Sequence, residues 1–182
     1  NDGIKKAHEL GLTHVLQIDS DGQHDISRCK FWFLELEKNP GAVICGYPEY
    51  DESVPKARLN GRKIANAWIH IVTVSNEIRD ALIGFRVYPV EPYYNLLKHH
   101  AVIDSHMGYD TDILVHLSWK NIPIISHPVK ISYPKDGVSN FRMVRDNIHI
   151  SLTFTRLCVG MIFRFPVLFF RMIRRNISGA SR

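Results

Sequence analysis

Two aspartates flank one serine at Asp19-Ser20-Asp21, with Gln23, His24 and Asp25 close behind. Two carboxylates that converge at a chain turn suit a hard divalent cation. Mg²⁺ and Mn²⁺ take oxygen ligands from few carboxylates and complete their shells with phosphate and water. Such an ion neutralises a diphosphate and stabilises its departure as a leaving group. Gln23 offers a further carbonyl oxygen, and His24 or Asp25 a supporting contact. The plain alternative is an acidic turn facing solvent.

A second acidic pair, Asp110 and Asp112, stands near the start of a probable helix. Carboxylates there meet unpaired N–H groups and the positive end of the helix dipole, so capping is the natural alternative to chemistry. Displacement by a hydroxyl nucleophile needs a carboxylate within hydrogen-bond reach to take its proton. Two acidic pairs also permit a different class, a two-cation phosphoesterase.

The elements that position these residues follow from apolar runs and breakers. Residues 3–10 read as a short helix closed by Gly11. Thr13 to Ile18 reads as a buried strand, which puts the first acidic pair just past a strand's carboxyl end, where ligands gather in open α/β sheets. Cys29 to Lys38 reads as a helix with Phe31, Leu34 and Trp32 inward, and Ala42 to Gly46 as a second strand. Tyr47 to Pro55 reads as a loop. Lys56 to Ile78 reads as a long helix or helix pair, with Leu59, Ile64, Ala67, Ile71 and Val74 as its core side. Ala81 to Val90 reads as a loop entering a strand, Pro92 to His99 as helical, and Gly108 to Leu117 as an acid-tipped loop entering a helix. Ile122 to Ile125 and Val129 to Tyr133 read as separate strands, with Pro123 and Pro128 at ends or edges.

These blocks also resemble a known family. THVLQIDSDGQHD is similar to the metal-binding segment of family 2 inverting glycosyltransferases, nearest the dolichyl-phosphate-mannose-synthase-like branch and bacterial relatives in lipid-linked pathways. The likeness continues, in family order, through GFRVYP (84–89), GYDTDILVHL (108–117), IPIISHPVKISYP (122–134) and GVSNFRMVRDN (137–147). It implies an α/β GT-A fold, a mixed sheet flanked by helices, and a UDP- or GDP-linked sugar donor. Carried onto this chain, it makes Asp19, Asp21 and Gln23 the metal segment, with Asp19 also at the nucleotide. Gly84, Phe85 and Arg86 would lie by the donor. Asp110 would be the base, with Asp112 orienting it or capping the helix. Ser139 and Arg142 would stand near the phosphates, with Lys130 and Arg145 as weaker candidates. If the acceptor is a lipid phosphate, no strong base is needed, and Asp110 would serve sugar hydroxyls or metal geometry. The family's first strands and its Pro-rich nucleoside motif have no counterpart before Asn1-Asp2-Gly3, so they are expected to lie outside this stretch. The nucleoside and the sugar therefore stay open.

Composition sets the remaining bounds. The chain has 182 residues, 45% hydrophobic and 23% charged, which fits one folded domain rather than disorder. Its formal charge is +5, with the acids concentrated before residue 113. From Phe141 onward the one acid is Asp146, against Arg142, Arg145, Arg156, Arg164, Arg171, Arg174, Arg175 and Arg182. The division expected is 1–147 as a partial catalytic domain and 148–182 as a basic amphipathic tail. The tail reads as a helix pair kinked or separated at Pro166, lying on an anionic membrane surface with its arginines at the headgroups. A helix packed on the catalytic domain, a linker, or a non-catalytic membrane adaptor are the alternatives. Its longest apolar run falls short of the ~20 residues of a membrane span. Peripheral attachment at the cytoplasmic face, with a lipid or polyprenyl-phosphate acceptor, is the expectation. Basic and aromatic residues do not interleave over residues 1–120, which argues against nucleic acid. Three scattered cysteines and ten histidines show no zinc spacing, and a reducing compartment is the default.

Overall fold

Alternating side chains on short apolar runs build a mixed sheet whose two faces are both covered. The structure, a computed structural model, describes residues 2–19, 26–50, 54, 56–99, 103–131 and 142–179. The elements run α1 (Asp2–Glu9), β1 (His14–Gln17), a 3-10 turn (Ile26–Arg28), α2 (Cys29–Lys38), β2 (Val43–Tyr50), α3 (Lys56–Thr73), β3 (Arg86–Pro89), α4 (Val90–His99), α5 (Tyr109–Trp119), β4 (Ile124–Ile131) and α6 (Met143–Gly179). The strand order is β1-β3-β2-β4. β3 is antiparallel to both β1 and β2, with Gln17 opposite Arg86 and Cys45 opposite Arg86, whereas β4 runs parallel to β2. The fold is α/β, a mixed four-stranded sheet flanked by helices.

The period of two along each strand divides the core. Val43, Cys45 and Tyr88 point to one face, under α1, α3, α4, α5 and α6, with Ile69, Leu96, Ile113 and Leu157 completing that layer. Ile44, Val87 and Val129 point to the other, where α2 lays Trp32 and Leu36 over them. Trp32 stacks on Phe85 with ring centroids 4.3 Å apart. Gly11 closes α1 with φ +68, a left-handed backbone in which glycine carries no Cβ penalty.

Several boundaries differ from the sequence reading. β2 runs on to Tyr50, because its paired partner β4 is one continuous strand through Pro128. Pro128 is tolerated since β4 is an edge of the described sheet. In α2 the inward residues are Trp32 and Leu36, while Phe31 and Leu34 are exposed. In α3 the core is met by Ile69 and Val72, and Ile64 and Ile71 face outward. The tail is one helix of 37 residues with Pro166 inside it, not a pair. Contacts on both sides of the proline, from Leu157 and from Leu168, hold the axis on the domain.

Candidate functional site

The carboxyl end of β1 and the start of β3 meet at one edge of the sheet, since Gln17 lies opposite Arg86. Asp19 follows β1 by two residues, and its carboxylate sits directly against Gly84. A Cβ at Gly84 would stand 2.1 Å from Asp19 Oδ1, so only glycine leaves room for the carboxylate. The loop that presents Gly84 is tied down by Asp80, whose Oδ1 accepts from the backbone N–H groups of Leu82 and Ile83 at 2.9 Å each. Arg62 grips the same carboxylate with two donors, at 2.6 and 3.1 Å, and Asn66 adds a third at 3.1 Å. Asp80 is 2% exposed, so this clamp works away from bulk water.

Asp110 reaches this edge from the first turn of α5. Gln17 Nε2 donates to its Oδ1 at 2.8 Å, and Oδ2 has no partner among the described residues. Gln17 had no role in the sequence reading. Gln17 is the last residue of β1, two residues before Asp19.

Phe85 and Arg86 are placed differently from a ligand-facing loop. Both are fully buried. Phe85 packs on Trp32, and its carbonyl accepts from the Gly46 N–H at 3.0 Å. The Arg86 guanidinium donates to the Asp110 carbonyl at 2.9 Å, the Tyr88 hydroxyl at 3.0 Å and the Ala81 carbonyl at 2.6 Å. Burial alone would pull the Arg86 pKa down; its neighbours Tyr88, Cys45 and Asp110 outweigh that and raise it, so the cation persists in the core. The same burial pushes the Cys45 thiol up to about 11. Arg86 therefore joins the Asp80 loop to the start of α5 from inside.

Asp112 is turned away from Asp110. It is wholly buried and accepts from the Asp104 N–H at 2.7 Å and from Arg156 of α6. His116 Nδ1 lies 2.9 Å from the Asp112 carbonyl oxygen and 3.1 Å from Oδ1, and the carbonyl has the better hydrogen-bond geometry. Burial would raise the Asp112 carboxyl, but the bonds from His116 and Asp104 and the nearby charges of His116 and Arg156 hold it below the usual carboxylate range. Asp112 neither caps α5, whose N-cap Gly108 makes no side-chain bond, nor touches Asp110. It is a latch between α5 and α6, reinforced by Thr153 donating to Asp104 at 2.6 Å.

Arg142 is exposed, and its backbone N–H donates to Asp146 at the start of α6. Asp21, Gln23, His24, Asp25 and Ser139 lie outside the described residues. Among the described residues no cluster of three or more His, Cys, Asp or Glu could hold a metal. Of the expected metal segment, Asp19 alone is described, with its carboxylate against Gly84. No family model, curated protein or solved structure matches the chain.

Proposed function

We propose that this chain is part of an inverting, metal-dependent glycosyltransferase of GT-A type, moving a sugar from a UDP- or GDP-linked donor to a lipid-linked acceptor at the cytoplasmic face of a membrane. One observation supports it above the others: Asp19 against Gly84 and Asp110 bonded to Gln17 both stand where β1 ends and β3 begins. In this reading Asp19, with Asp21 and Gln23, would hold Mg²⁺ or Mn²⁺, which when bound would balance the charge growing on the departing diphosphate. Gly84 keeps the Asp19 carboxylate at the edge. Gln17 fixes one oxygen of Asp110 and leaves the other to accept a proton from an acceptor hydroxyl. Arg86 holds the start of α5 through the Asp110 carbonyl and adds its charge nearby. Ser139 and Arg142 remain the phosphate-side candidates.

The two-cation phosphoesterase reading is the weaker one, because Asp112 is enclosed by Arg156, His116 and the Asp104 N–H. One acidic pair thus offers only one carboxylate to a ligand.

The test is free nucleotide released from a panel of UDP- and GDP-sugars with a membrane lipid extract, with and without Mn²⁺ or Mg²⁺. Asp19→Ala and Asp21→Ala proteins run alongside. Release that needs the metal, the extract and both aspartates supports the reading. Release indifferent to all of them, or hydrolysis of simple phosphate esters instead, overturns it.

A further inference from the structure

Four arginines of α6 turn to the domain, while Arg145 and Arg174 are exposed. Arg156 binds Asp112, Arg171 donates to the Trp119 carbonyl at 2.8 Å, and Arg175 pairs with Glu77 at 2.6 Å. Arg164 lies over the Trp119 ring at 4.6 Å. Each of these cations holds the helix to the domain. On the side away from Arg164, Arg171 and Arg175, Ile148, Leu152, Val159, Ile162, Phe163, Phe170, Ile173 and Ile177 are all exposed, Phe163 at 81%, with Arg156 at the edge of that side. At 100° per residue these eight fall in an arc of about 100° running about 44 Å along the axis, and Phe165, Val167 and Phe169, also exposed, widen the apolar side to about 200°.

That stripe does not end at the helix. Ile64, Trp68 and Ile71 are exposed on α3 at helical spacing. Ile64 and Trp68 share a groove of about 580 Å³ with Phe154, Thr155 and Cys158 of α6. Ile71 and Phe165 share a second groove further along the same pair. The grooves join the outer sides of the two helices into one apolar face. Within α3 and α6 the sole acid is Asp146, while Lys63, Arg145, Arg164 and Arg174 are exposed basic residues.

We infer that the outer face of α3 and α6 together seats on a lipid bilayer surface, with apolar insertion supplying most of the binding and the exposed basic residues only assisting. The occupant follows from three features: an apolar stripe longer than most helices, exposed basic residues without exposed acids on either helix, and a helix apolar enough by composition to enter a membrane over Arg145–Ile177. Lying flat fits better than crossing. A span would carry Arg156, Arg164, Arg171 and Arg175 into hydrocarbon and strip away their partners. This deepens the membrane part of the reading above and rests on it, but not on the sugar chemistry. Vesicle binding without any turnover would sink that chemistry and leave this inference standing.

Trp68 supplies the probe. Of the three tryptophans, Trp32 is 0% exposed, Trp119 8% and Trp68 43%. The protein is mixed with phosphatidylcholine vesicles, and with vesicles containing added phosphatidylglycerol. Sedimentation and quenching of tryptophan emission by brominated lipid are both read. Binding is expected to both vesicle types, with little loss at high salt. Quenching is expected in the wild type and should vanish in Trp68→Phe. Phe163→Glu and Phe170→Glu, both at exposed positions, should each weaken partitioning by on the order of tenfold, with an unchanged circular dichroism spectrum as the folding control. Binding only to anionic vesicles and lost in salt would overturn the apolar mechanism. Sedimentation without Trp68 quenching would overturn the part played by α3. Absence of vesicle binding, with self-association abolished by Phe163→Glu, would make the face a contact between copies and overturn the inference.

Discussion

Replacing Arg156 by Met should loosen the start of α5 by removing one of the three groups that hold Asp112. The carboxylate is 0% exposed, and Arg156 is 31% exposed. Breaking a buried pair costs about 3–5 kcal/mol because the remaining charge is left uncompensated. Here the Asp104 N–H and His116 remain, and the arginine is partly hydrated, so a loss of roughly 2–3 kcal/mol is expected. The pH dependence sharpens the test. Asp112 has a folded-state pKa below its unfolded value. Its contribution is therefore complete above the unfolded carboxylate value of about 4 and is lost as pH falls through the lower folded value. The difference in urea midpoint between wild type and Asp112→Asn should be constant from neutral pH down to about 5 and shrink below about 4. The double variant Asp112→Asn with Arg156→Met should lose less than the sum of the single losses. Additive losses, or an Arg156→Met cost under about 0.5 kcal/mol, would refute the latch.

Three further substitutions follow from close contacts. Gly84→Ala places a methyl 2.1 Å from Asp19 Oδ1; the flexible carboxylate must swing away, so thermal unfolding should barely move while nucleotide release falls by on the order of tenfold or more. Gly160→Ala meets the Trp119 ring at 2.7 Å; overpacking there should cost about 1–3 kcal/mol in chemical denaturation and weaken the seat of α6. Arg86→Met removes the buried donor shared by the Asp110 carbonyl, the Ala81 carbonyl and the Tyr88 hydroxyl, leaving Ala81 with Thr111 alone; it should destabilise the fold by about 2–4 kcal/mol, and a stable, fully folded Arg86→Met protein would contradict its internal role.

Much of the architecture was legible because it rests on local signals. The apolar run before Asp19, the glycine after α1 and the apolar helix at the end each announce an element. What was not legible depends on partners distant in sequence. The loop reading of residues 47–50 failed because pairing with β4 extends β2 over polar residues. The inward faces of α2 and α3 were misassigned because both helices carry apolar residues on two sides, and only packing chooses Trp32 over Phe31 and Ile69 over Ile64. The outward sides then find a separate explanation in the apolar face shared with α6. At the candidate site, spacing alone made Asp110 and Asp112 look like a pair. They point apart, since successive even positions on a helix do not share a face, and Asp112 answers to Arg156, 44 residues away in sequence. The family resemblance of GFRVYP puts Arg86 by the donor, and the plain alternative puts it in solvent; it is in neither place. Its burial depends on Tyr88, Ala81 and Asp110 closing round it, which no motif records.

The most direct test of the proposed chemistry is the anomeric configuration of the transferred sugar. The lipid product formed from the donor that the release assay selects would be isolated, and its anomeric coupling constants read by NMR beside those of the donor. Transfer through a single in-line displacement gives the opposite configuration at the anomeric carbon. Retention of the donor's configuration, or free sugar as the only product, would contradict the account.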